Sequence, residues 1–173
     1  MRIPVHLECS WLACVGTGVL MMPMLAFAPV AAAATATATV TFAVYVKVSA
    51  TCTIAATPLN FSAYTGLVDQ ATSVLTLTCT NTTPYTVGLS AGNGSGATVT
   101  TRSMTADTAA KLPYGLYRDA AYASNWGMTA GSDTAAGTGN GSAQPLTVYG
   151  RIPAGQFVTP GAYSDTIVAT ITY

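Results

Sequence analysis

The chain has 173 residues, half of them hydrophobic and only 7% charged, with six basic side chains against six acidic ones. No basic run is present to hold a phosphate backbone, which excludes nucleic-acid binding as a reading. Thr, Ser, Asn, Gln and Tyr must make the polar surface instead, and so little net charge does little to oppose association between copies.

The first segment carries Arg2, His6 and Glu8, then an apolar run from Leu12 to Val30, then Ala31 to Ala34. A short basic start, an apolar core and small residues for a peptidase make residues 1–33 a secretory signal peptide, cut near Ala32 to Ala34. The run is long enough to raise a membrane-helix reading. Pro23 and Pro29 interrupt it and no basic stop-transfer cluster follows, so no membrane span is expected after signal removal. Leu12-Ala13-Cys14 has the look of a lipid-attachment box but precedes the apolar core, so Cys9 and Cys14 leave with the signal. The remaining stretch suits one domain. It keeps Cys52 and Cys79, which in an exported chain read as one disulfide. It has no His and no third thiol, so no metal site is expected.

From Val40 the pattern has period two: Val40, Phe42, Val44, Val46 and Val48 share one face, and Thr39, Thr41, Ala43, Tyr45 and Lys47 the other. Thr35, Thr37 and Thr39 extend it upstream, alternating with Ala36 and Ala38. The whole run to Cys52 exceeds one usual strand and is compatible with two segments in sequence. Leu59 to Tyr64 reads as a short strand after Pro58, and Val74 to Cys79 as a stronger one. Asn81 to Pro84 supplies a turn, followed by a strand from Tyr85 to Leu89 and a Gly-rich loop from Gly92 to Gly96. Val99 to Met104 and Leu112 to Arg118 read as strands. Ser124 to Gly141 is a loop region with Trp126 as an aromatic anchor. Pro145 to Gly150 returns to a strand pattern, Pro153 to Gly161 is a turn connection, and the last run alternates with Ile167, Ala169, Ile171 and Tyr173 on one face. Short strands separated by Gly, Pro and Asn turns, with no sustained helical period, predict an all-β sandwich.

The chain ends on a strand pattern and opens, after the signal, on a long alternating run. A groove beside the last strand would leave backbone groups unpaired. An extension from a neighbouring copy would fill it by strand addition. The other reading makes the N-terminal run an ordinary edge strand of its own sheet, and periodicity does not separate the two.

Chemistry is sparse. Neither Gly-rich loop carries the Gly-Lys-Ser/Thr end of a nucleotide site. After the signal no His or Glu remains to serve as a base for a Ser or Cys nucleophile, and the five Asp are scattered, so no catalytic residue and no cofactor is expected. Tyr117, Tyr122 and Trp126 are read as packing under the Gly-rich loop, with a sugar-binding platform as the alternative. Arg102, Arg118 and Asp119 are read as strand-bridging groups of small individual worth. Asn81, Asn93 and Asn140 each open an Asn-x-Ser/Thr acceptor pattern, which matters only under a glycosylating export route.

Several pieces, in order, carry a family resemblance: Val48-Ser49-Ala50-Thr51-Cys52, Leu59-Asn60-Phe61, Leu77-Thr78-Cys79-Thr80, Arg102-Ser103-Met104, Leu112 to Asp119, Trp126-Gly127, Val148-Tyr149-Gly150-Arg151-Ile152-Pro153-Ala154-Gly155-Gln156 and Gly161 to Thr166. The chain resembles the spore coat protein U domain family, which includes subunits of archaic chaperone–usher (Csu-type) pili. It departs from the common pattern at Phe61-Ser62-Ala63 and at Met128. The resemblance implies an immunoglobulin-like β-sandwich lacking its final strand and completed by donor-strand complementation. It implies a periplasmic chaperone, an outer-membrane usher and neighbouring subunits as partners, and a place at the cell surface after transit through the periplasm. Carried onto this sequence, residues 34–45 form the donor extension, with Val40, Phe42 and Val44 as plugs, and residues 46–173 the pilin domain. Ile167, Ala169 and Ile171 lie beside the acceptor groove, and Cys52 and Cys79 match the family's paired cysteines. The function implied is a structural pilus subunit supporting adhesion and biofilm formation. A spore or surface coat protein is the alternative, and a secreted carbohydrate-binding module a more distant one.

Overall fold

A computed structural model describes residues 35–173. The expected signal peptide, with Cys9 and Cys14, lies outside the described residues. The described part is all β. Its strands are β1 (Cys52–Ala56), β2 (Asp69–Cys79), β3 (Pro84–Leu89), β4 (Arg102–Thr105), β5 (Lys111–Tyr117), β6 (Ala135–Thr138), β7 (Ala143–Ile152) and β8 (Ala169–Thr172). They form a five-stranded sheet in the order β1-β2-β7-β5-β4 and a three-stranded sheet in the order β6-β3-β8, and every pair is antiparallel. The result is an incomplete immunoglobulin-like sandwich.

Period two decides what faces inward. In β2, Ser73, Leu75, Leu77 and Cys79 are buried while Thr72, Thr76 and Thr78 are exposed. Tyr85, Val87 and Leu89 of β3 point into the same core, as do Leu112, Tyr114 and Leu116 of β5 and Val148 and Ile152 of β7. Full burial of a side chain such as Leu77 contributes about 1.5–3 kcal/mol. Cys52 and Cys79 are direct register partners of β1 and β2 and are joined by a disulfide.

The structure departs from the sequence pattern in four places. Leu59 to Tyr64 forms no strand, although Leu59, Phe61 and Tyr64 are half-buried against the core. Its alternation supplies a buried face, but no ladder partner lies beside it. Residues 35–51 likewise belong to neither sheet, and the first strand begins at Cys52. In the expected loop from Ser124 to Gly141, Ala135–Thr138 pairs with β3. Gly137 fits there because a side chain would meet the Tyr85 ring, with Cζ 2.6 Å from the position of a Cβ. Finally, Arg102 is no surface bridge: it is fully buried, for reasons of hydrogen bonding given below.

Candidate functional site

A cleft of about 680 Å³ opens between the two sheets. Its floor is formed by core residues: Leu75, Leu89, Leu112, Leu116, Val148 and Ile152. One bank is the strandless segment from Ala56 to Tyr64, and the other runs from Tyr163 to Ala169. On this second bank Tyr163, Asp165, Ile167, Ala169 and Ile171 are half-buried, and the residues between them are exposed.

The second bank crosses between the sheets. Ser164 exchanges backbone hydrogen bonds with Thr105 at the end of β4, at 2.9 and 3.2 Å. The backbone N–H of Ser90 then donates to the Val168 carbonyl at 2.9 Å, leading the chain onto β3. This crossing closes one side of the sandwich. On the other side β8 ends the three-stranded sheet, with β3 as its only ladder partner among the described residues. Its second edge therefore lies beside an apolar cleft, a place where unpaired N–H and C=O groups are costly unless a strand is added.

The expected groove residues are placed as follows. Ile167 and Ala169 line the cleft; Ile171 packs against the core but is not among its lining residues. Val40, Phe42 and Val44 are 88%, 84% and 81% exposed, in a segment without assigned secondary structure. These three side chains leave a run of apolar surface exposed in one short segment.

Asp165 is the one charged residue lining the cleft. The Tyr114 hydroxyl donates to its carboxylate at 2.7 Å, and the backbone N–H groups of Asn93 and Thr166 donate at 2.7 Å each. Burial, and then the hydrogen bond to Asp165, push the Tyr114 phenol far above its ordinary range. Both polar groups are thus committed to each other and to the loop at Gly92 to Gly94. The described residues hold no cluster of three or more His, Cys, Asp or Glu that could bind a metal. What the cleft offers a ligand is apolar surface and strand backbone.

Three further features lie outside the lining of the cleft. The Arg102 guanidinium donates to four carbonyls: Ser90 through Nε (2.8 Å), Val99 through Nη1 (2.6 Å), and Leu89 and Trp126 through Nη2 (3.0 and 2.7 Å). Burial lowers its pKa, opposed first by Tyr114 and then by Asp165. Trp126 is also buried, and its Nε1 donates to the Val87 carbonyl at 2.8 Å, so it packs rather than forming a sugar platform. Tyr117, Tyr122 and Tyr149 meet edge to face, with centroids 5.6 and 6.2 Å apart, and Arg151 lies 5.7 Å above the Tyr122 ring. The expectation that Tyr117 and Tyr122 pack was the advance signal for this group.

Comparison with known proteins agrees with this geometry. The family described as the Spore Coat Protein U domain matches residues 38–170. Protein U of Myxococcus xanthus is 38% identical over 128 residues, covering 66% of this chain and 71% of that protein. Among solved structures, the fold matches a chain in the CsuC–CsuE chaperone–tip adhesion subunit pre-assembly complex from archaic chaperone-usher Csu pili of Acinetobacter baumannii. The TM-score is 0.57 at 21% identity, over 73% of this chain; the match spans 40% of the solved chain.

Proposed function

The chain belongs to the Spore Coat Protein U domain family, and we propose that it is an exported structural subunit that polymerises by strand exchange into a chaperone–usher surface fibre. The observation that carries this reading is the apolar cleft beside the single-partnered strand β8. A β-strand from another molecule satisfies both needs at once: its backbone pairs with β8 and its alternate side chains fill the cleft. The chain has a fitting segment in residues 34–45. Val40, Phe42 and Val44 are the plugs, and Ile167, Ala169 and Ile171 flank the acceptor side. Before assembly, a periplasmic chaperone covers the cleft and an outer-membrane usher receives the subunit, which carries it through the periplasm to the cell surface. Adhesion and biofilm support are the corresponding roles of the fibre.

Removing residues 35–44 from the exported chain tests this. Head-to-tail polymers should vanish while complexes with the chaperone remain; polymers that persist overturn strand exchange. The similarity to Protein U favours one second reading, a coat protein assembled through the same cleft without an usher. An usher and a chaperone encoded beside this gene support the fibre, and their absence supports the coat.

A further inference from the structure

One end of the cleft carries an apolar patch that the strand-exchange reading leaves unused. Phe157 is 93% exposed, Leu67 73% and Val68 44%. Two loops hold this patch in place. The Tyr64 hydroxyl donates to the Pro153 carbonyl at 2.7 Å and accepts from the Gln156 N–H at 3.1 Å. The Gly155 N–H donates to the Gly66 carbonyl at 2.9 Å. The Phe157 ring lies over Gly66, its Cε1 3.7 Å from where a Cβ would stand. Three exposed apolar side chains on a hydrogen-bonded platform are a built surface rather than a loose loop.

The direction of the added strand decides what reaches the patch. Every ladder among the described residues is antiparallel. A strand joining β8 in the same sense runs from the Ile171 end of the cleft to the Tyr163 end. The registers Ser164–Thr105, Thr105–Lys111 and Gly115–Arg151 put the Tyr163 end on the side where β7 runs out toward Pro153 and Phe157, so the C-terminal residue of the added strand emerges on the side of the patch. In the incoming copy, the residues after Val44 are Tyr45, Val46, Lys47 and Val48. Tyr45, Val46 and Val48 are 90%, 87% and 80% exposed. Only residues 45–51 separate Val44 from β1, a tether of at most about 25 Å. An incoming copy is thereby held against this end of the cleft.

We infer that Leu67, Val68 and Phe157 form a docking surface for a second copy of this chain, taken up by its Tyr45–Val48 stretch. This rests on the strand-exchange reading and extends it: the contact beyond the cleft fixes how one subunit is set on the next. The inserted strand alone leaves a swivel at residues 45–51, and the patch removes it.

The test uses polymers of the full chain carrying Val46→Cys and Phe157→Cys, oxidised and boiled without reductant. A ladder of covalent oligomers is expected. Polymers that give no ladder with this pair, but do give one when Val46→Cys is combined with Ser142→Cys at the other end of β7, overturn the docking surface and leave strand exchange standing. Absence of polymers from the unsubstituted chain overturns both. If the cysteine variants misfold, the paired changes Leu67→Ser and Phe157→Ser serve instead, since both sites are exposed. Subunit melting should hold, and polymers should form but dissociate in detergent roughly tenfold faster or more. An unchanged rate overturns the inference.

Discussion

Arg102 shows how a single residue can organise the wall of a cleft without touching a ligand. One planar fork of donors satisfies four carbonyls from the end of β3, the turn before β4 and the Trp126 loop. No other side chain presents that fork. Replacing Arg102 with Met leaves those acceptors buried and unpaired, and should destabilise by at least about 3 kcal/mol. The shift in the urea midpoint measures this. Tyr114 gives a pH prediction. Burial and Asp165 raise its folded-state pKa, so its contribution is fully present below the ordinary phenol value and is lost as pH rises above about 10. Tyr114→Phe should flatten that alkaline loss, and melting curves from pH 8 to 11 on both chains would show it. Asp119 works in the other direction. Backbone N–H groups, that of Ser124 first, hold its carboxyl below the usual range. What they contribute is present above the unfolded-state value and is lost as pH falls through the folded one. Amides of Ala121, Ala123 and Ser124 should lose protection under acid, read by hydrogen exchange as a ratio to the intrinsic rate at each pH.

At the scale of elements, the two banks of the cleft have different origins. The β8 bank was readable, because Ile167, Ala169 and Ile171 alternate with Val168, Thr170 and Thr172. The Leu59 to Tyr64 bank has the same alternation and forms no strand, because pattern selects a face while a ladder needs a neighbour. The N-terminal run behaves the same way. If its backbone pairs with β8 of another copy, Thr41→Pro should abolish polymers while every plug remains, since proline removes the N–H and fits poorly within a sheet. Electron microscopy of assembled material is the measurement. Subunit melting should not change, because Thr41 lies outside every strand.

For the whole molecule, the disulfide ties β1 to β2 at the end of the sheet where the extension begins. Closing a loop of separation 27 should contribute about 3.5 kcal/mol on the chain-entropy account. Cys52→Ala with Cys79→Ala should lower the urea midpoint correspondingly. The loss matters more here than in a complete sandwich, because an open cleft leaves part of the core without its covering layer. A peptide of residues 35–48 should raise the melting temperature of a chain lacking residues 35–44, by the linkage of binding to stability. No rise at saturating peptide would count against the cleft as its site.

The sequence by itself determined the class of fold and the identity of the core faces, and it marked the alternating apolar run from Val40 without deciding which sheet it serves. These follow from local alternation and turn chemistry, which need no knowledge of what lies across the sheet. Tertiary structure decided the rest. It put Arg102 in the core, turned Leu59 to Tyr64 into a bank rather than a strand, and set Phe157 over Gly66. Each of these depends on residues far apart in the chain being brought together, and period-two patterning carries no information about which strand becomes the neighbour of which.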